Sequence, residues 1–195
     1  MMGAAMGPPL RDRSRHTFGE YLQWPGDVRY ELIDGLAYLM APAPSVAHQR
    51  MAGGLFRQIA DALEGRPCEA FIAPFDVRLP RGDEADEDVD TVVHPDITVV
   101  CNPDLIDERG CRGAPDWVVE VLSPGTAAHD QSTKLAAYER AGVKEVWFVH
   151  PTDCTVAVFR HDGTAFGRPG IFGLEGTLAS QAVPAVSVEW SRLVS

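Results

Sequence analysis

Apolar residues recur along this chain at two spacings, and the switch between them sets out the elements. From Arg29 to Met40 they alternate with polar ones around Asp34-Gly35, a favoured two-residue turn, so the stretch reads as a β-hairpin. Beyond the rigid Ala41–Pro44 link the period lengthens. His48, Ala52, Leu55, Ile59 and Leu63 follow one another at four, three, four and four residues and form one helical stripe, with Ser45 as N-cap and Gly65-Arg66-Pro67 as terminator. Cys68–Leu79 is the next strand, bent at Pro74, and Thr91–Cys101 returns beside it. Asn102–Ala114 is a polar connection. Trp117–Leu122 is a nearly unbroken apolar run, as in a strand covered on both faces. A helix over about Ala127–Ala141 with Gly142 as C′ residue follows, then the strand Glu145–His150. Thr155–Arg160 and Ala165–Phe172 form a second hairpin, and Leu178–Val194 reads as an edge strand plus a short helical turn. A T-x-x-E capping box at Thr17–Glu20 starts a short helix near the N-terminus.

Three of these elements carry charge where an apolar core is expected. Asp96 opens PDITVV, Glu120 sits inside DWVVEVL, and Lys134 lies on the helix that follows Glu120. A carboxyl group inside a Val/Leu run is protonated, paired or on a metal, because an unpaired charge there costs several kcal/mol or more. Glu31, in the first hairpin strand, shares a face with Ile33 and reads either as a solvent-facing residue or as a partner of this group. His48, in the first turn of the long helix, is by type more often a boundary histidine than a ligand. Asp130 and Lys134, at i and i+4, can equally form a surface ion pair.

The ordered set YELIDG, APAPSVAHQ, HPDITVV, DWVVEVLSPGT, DQSTKLAAYERAGV and EVWFVHP resembles the Uma-two family of restriction-endonuclease-like proteins, within the PD-(D/E)XK nuclease superfamily. Each piece is weak alone; their order over roughly residues 17–160 carries the resemblance. The usual E-x-K strand reads Glu120-Val121-Leu122 here, and Lys134 is the natural replacement for the missing lysine. The resemblance implies an α/β, restriction-endonuclease-like fold: a mixed central sheet flanked by helices, core order αβββαβ, with an N-terminal hairpin and extra C-terminal strands. It implies Mg²⁺ or Mn²⁺ held by Asp96, Glu120 and the Val121 carbonyl, with Lys134, Glu31 and His48 completing the site. The implied reaction is hydrolysis of DNA phosphodiester bonds. A non-catalytic nuclease-fold module, with Glu120 and Lys134 as a buried ion pair, is the rival reading.

Composition narrows the setting. The 195 residues, 45% of them hydrophobic, suit a leader over 1–16 and one domain over 17–195. No run approaches the ~20 apolar residues of a membrane helix. Cys68, Cys101, Cys111 and Cys154 show no zinc spacing and read as free thiols in a reducing cytoplasm. The net charge of −11 counts against an extended basic nucleic-acid surface. The acidic run Gly82–Asp90 reads as a solvated hairpin tip. Phe159, Phe166, Phe172 and Trp190 exceed what a small C-terminal appendage can hide, so a two-fold homodimer is expected.

Overall fold

The computed structural model describes residues 14–24, 29–40, 44–123 and 130–193. A short helix, α1 (Phe18–Tyr21), precedes the hairpin β1 (Tyr30–Ile33) and β2 (Leu36–Leu39). Asp34 and Gly35 turn it with φ of 52° and 76°, the pair of left-handed residues that matches the twist of a two-residue hairpin. Helix α2 (Val46–Leu63) follows, its Ser45 cap accepting the His48 N–H. Next come β3 (Glu69–Ile72), β4 (Val77–Arg78), β5 (Val92–Val93) and β6 (Ile97–Val100). A small hairpin, β7 (Ile106–Asp107) and β8 (Gly110–Arg112), leads to β9 (Trp117–Val121). A π-helical turn over Asp130–Lys134 runs into α3 (Leu135–Ala141), which Gly142 ends in the left-handed region at φ 84°. The chain closes with β10 (Glu145–His150), β11 (Thr155–Arg160), β12 (Gly170–Gly173), β13 (Thr177–Ala179) and β14 (Ser187–Glu189).

The large sheet is mixed, in the order β12-β11-β10-β9-β6-β3, with β9 and β10 parallel and their other neighbours antiparallel. Alternation along β9 sends side chains to two cores. Trp117, Val119 and Val121 pack with Leu55, Ile59 and Trp147 beneath α2. Val118 and Leu122 pack with Ala137, Tyr138 and Phe148 beneath α3. A second six-stranded sheet, β2-β1-β5-β4-β8-β7, lies against that latter core through Ile33, Val77 and Val93. The expected bend at Pro74 is the passage from one sheet to the other, between β3 and β4.

Several expectations need correction. Asn102–Ala114 is not a plain connection: β8 pairs in parallel with β4 and extends the second sheet. Thr17 caps α1 without a side-chain bond, and Glu20 turns to His16 instead, 2.9 Å away. The acidic run is the largely exposed tip of the β4–β5 hairpin, as expected, but it is also tied down by ion pairs. Asp86 meets the buried Arg78 at 2.5 Å and also Arg109 and Arg112, while Val89 inserts beside Phe18. The density of charge there marks an ion-pair network, because acids and arginines from separate loops neutralise one another. Cys68 and Cys101 are not free thiols; they flank the Glu69↔Val100 pair and form a disulfide, whereas Cys111 and Cys154 are free. Trp190 is fully buried and Phe159 and Phe166 pack on the α3 core, which leaves Phe172, with Ile171, as the exposed part of the aromatic surplus.

Residues 14–16 run against the hairpin, with the His16 N–H on the Gly35 carbonyl at 2.8 Å; the rest of the expected leader lies outside the described residues. So do positions 41–43, 124–129 and 194–195, and the Asp130 side chain, where the link, the turn into the second helix, the end of the tail and the Asp130–Lys134 pair were expected.

Candidate active site

Two sheets and two helices bring the charged residues together. β1 pairs with β5 through Leu32 and Val92, so the chain leaving β5 passes alongside Glu31. There the His94 N–H donates to Glu31 Oε1 at 2.8 Å. Pro95 has no N–H to offer, and Asp96 follows immediately before β6. Glu31 is 6% exposed and points with Ile33 into the layer between the sheets, which decides against a solvent-facing role.

Lys134 ends the π-helical turn and reaches into that same layer. Its Nζ lies 2.9 Å from Glu31 Oε1 and 2.7 Å from Glu120 Oε1, and the residue is 3% exposed. One turn further along the helix, the Tyr138 hydroxyl donates to Glu120 Oε1 at 2.5 Å. Two buried carboxyl groups thus share one ammonium, and Glu120 also accepts from the phenol. Burial alone would raise the Glu31 carboxyl; the Lys134 and His94 charges and the His94 N–H outweigh it and hold the group below its ordinary value. Burial, and next the Glu120 charge, push the Tyr138 phenol well above 10.

Asp96 forms the more open side of the cluster, with its side chain 20% exposed. Its Oδ2 accepts the Val121 N–H at 2.7 Å and meets His48 Nε2 at 3.2 Å. Asp96 and Glu120 are therefore linked through the backbone of β9: Asp96 holds the amide of the residue that follows Glu120. The first turn of α2 arrives at the same point through His48.

All five side chains singled out in the sequence lie in one connected region, Glu31, Lys134 and Glu120 by ion pairs and Asp96 and His48 by their own pair. Tyr138, which helical spacing puts on the face of Lys134 one turn further on, joins the group. Sequence reasoning left out His94, whose role rests on a backbone N–H and on its ring contact to Asp76 at 3.0 Å across the second sheet.

The donor chemistry suits a hard divalent cation, since the acids offer oxygen ligands. Among the described residues, no three His, Cys, Asp or Glu side chains form a ready cage. Mg²⁺ ordinarily takes one or two carboxylates and fills its shell with water and phosphate oxygens, which two acids can provide for.

A mixed sheet flanked by α2 and α3, with acids at the ends of central strands, defines the class: a restriction-endonuclease-like α/β fold. The chain belongs to the Uma2 family, whose description is "Putative restriction endonuclease" and whose model matches residues 18–191. It is similar to an uncharacterized protein of Synechocystis sp. (strain PCC 6803), 30% identical over 121 residues. That match covers 61% of this chain and 60% of the relative, so the chain spans well under two thirds of the relative's length. In fold it is similar to a crystal structure described as "a putative nuclease belonging to DUF820" from Anabaena variabilis, with a TM-score of 0.71, 21% identity, and coverage of 91% of this chain and 97% of the other. Among the described residues no helix is long and apolar enough to cross a membrane.

Proposed function

We propose that this protein is a Mg²⁺- or Mn²⁺-dependent endonuclease that hydrolyses phosphodiester bonds in DNA. The observation that carries the reading is the burial of Lys134 between Glu31 and Glu120 at the end of the strand whose next amide is held by Asp96. A salt bridge buried so deeply has no need of a second carboxyl group to be satisfied, and the surplus acid suits a site that receives another cation. Asp96 and Glu120, with the Val121 carbonyl, would hold it. A bound divalent ion supplies polarisation of the phosphoryl oxygen and a water of lowered pKa. Lys134 would orient the attacking water and offset the negative charge that grows on the phosphate in hydrolysis. Glu31, itself held by the His94 N–H, fixes Lys134, Tyr138 fixes Glu120, and His48 fixes Asp96.

The test pairs cleavage with melting. Mn²⁺ should raise the melting temperature of the parent by mass action on the folded state, and Glu120→Ala should abolish that rise. Lys134→Ala should keep the Mn²⁺ response, scored as its shift from the variant's own metal-free value, but lose ~10²–10³ in the rate of DNA cleavage at low salt. Cleavage that survives in Lys134→Ala would refute this assignment. The second reading, a non-catalytic module, draws on the same burial of Lys134: a closed ion cluster predicts no cleavage and no Mn²⁺ response by the parent.

The same reading includes a two-fold dimer. β12 is an edge strand of the large sheet and presents Ile171 and Phe172, 63% and 38% exposed. Strand edges of this kind are covered in stable proteins.

A further inference from the structure

Helix α2 carries a glycine that packing does not explain. Gly54 is explained: a Cβ there would overlap the Leu193 side chain. Gly53 is exposed, and a Cβ built on it meets nothing within 4 Å. Glycine in an open helix interior is destabilising relative to alanine, so its presence points to something that approaches the helix closely from outside. Gly53 stands three residues after Arg50 and four before Arg57, and all three share the solvent face.

Those two arginines differ from most others in this acidic chain. Arg78, Arg81, Arg109, Arg112 and Arg140 are each paired with an Asp carboxyl group. Arg50 and Arg57 are exposed and make no ion pair or side-chain hydrogen bond among the described residues. At ~1.5 Å per residue they are about 10.5 Å apart along the helix. Long, flexible guanidinium side chains at that separation reach two phosphates of one strand. The helix also begins at the candidate site, where His48 meets Asp96. Asp61 and Glu64 end the cationic stretch about two and three turns beyond Gly53.

We propose that the outer face of α2 is a track for the phosphate backbone of the DNA strand, with Arg50 and Arg57 on two phosphates of that strand and Gly53 letting the strand approach between them. The proposal rests on the nuclease reading and extends it to how so acidic a protein holds its substrate: through a short local interface rather than a broad basic field.

The experiment is fluorescence anisotropy of a labelled 20-base-pair DNA duplex with the full chain in Ca²⁺, across a series of salt concentrations. The slope of log affinity against log salt should fall by about 1.8 in R50A/R57A, ~0.9 for each phosphate no longer neutralised, or by about 1.4 on a single strand at ~0.7 each. G53D, checked for an unchanged circular dichroism spectrum, should bind at least tenfold more weakly. R168A removes an exposed arginine elsewhere and should leave the slope as it is. A salt-dependent parent whose slope is unchanged in R50A/R57A would overturn the track and leave the nuclease reading standing. A parent that does not bind DNA would overturn both.

Discussion

Removing Lys134 should cost this fold more than most single substitutions can. Lys134 is 3% exposed and lies 2.9 and 2.7 Å from the carboxyl groups of Glu31 and Glu120. In Lys134→Met the stem volume is kept, so little of the loss comes from a cavity. What remains is two buried acids without their cation. Breaking a buried pair in this way costs ~3–5 kcal/mol. For a chain of this size each kcal/mol moves the melting temperature by ~2–4 °C, which gives a fall of about 6–20 °C. The loss should also depend on pH, with a definite sign. In the parent, Glu31 is held below its ordinary value, so the stability it contributes is present above ~4.3, its unfolded pKa, and is lost as pH falls through the folded value. In Lys134→Met the largest lowering cause is gone, and burial, which raises the acid and exceeds any single lowering cause, is opposed by His94 alone. There the folded state gains from protonation, and stability falls as pH rises. The gap between parent and variant should therefore narrow from pH 7.5 to pH 5. Urea unfolding followed by tryptophan fluorescence at both pH values measures it, and E31Q/E120Q/K134M should recover at least half of the deficit. A deficit below ~1 kcal/mol at pH 7.5, or one that does not change with pH, would refute the view of Lys134 as the shared counter-ion.

Three further outcomes follow from other parts of the molecule. Burial, with the Glu120 charge second, raises the Tyr138 phenol, so its contribution is complete below ~10 and declines above it; the parent should lose stability over pH 10–11 in a melting series, and Tyr138→Phe should lose less. Glu145 is fully buried and accepts from the Gln181 and Ala182 amides at 2.7 and 2.9 Å and from Trp147 Nε1, so Glu145→Gln should cost ~3 kcal/mol in urea unfolding. Light scattering at micromolar concentration should give twice the chain mass, and Ile171→Lys should reduce it to the monomer; a monomeric parent would remove the dimer from the reading.

What could be read from the sequence follows the range of each interaction. The hairpin at Asp34-Gly35, the Ser45 cap, the stripe on α2 and the Gly142 stop are decided within a few residues, and the structure has them where the pattern indicates. The acids of β9 and its neighbours stood out because they interrupt apolar runs. The second sheet was not legible as a sheet, because its strands are two to four residues long and β4 and β8, which pair in parallel, lie far apart in sequence. For the same reason the ion pairs of the exposed Gly82–Asp90 run were not legible: the arginine partners of Asp86 come from positions 78, 109 and 112. The bond from Lys134 to Glu31 spans 103 residues, and no local rule reaches across it.

The alternation of β9 between two cores has a bearing on how the chain finds its fold. Sliding β9 by one residue against β6 and β10 would turn Glu120 toward Leu55, Ile59 and Trp147, away from Lys134, and would bring Val119 or Val121 round to the lysine. Apolar residues alone would discriminate weakly between the two alignments, since valines occupy both faces. A misplaced carboxyl group in the apolar core costs several kcal/mol, which makes the slipped sheet a rare state. The residue proposed to do chemistry is then also a proofreading mark for strand alignment. A Glu120→Val chain should fold with a less certain register, visible as doubled amide signals for β9 in a spectrum of the labelled protein.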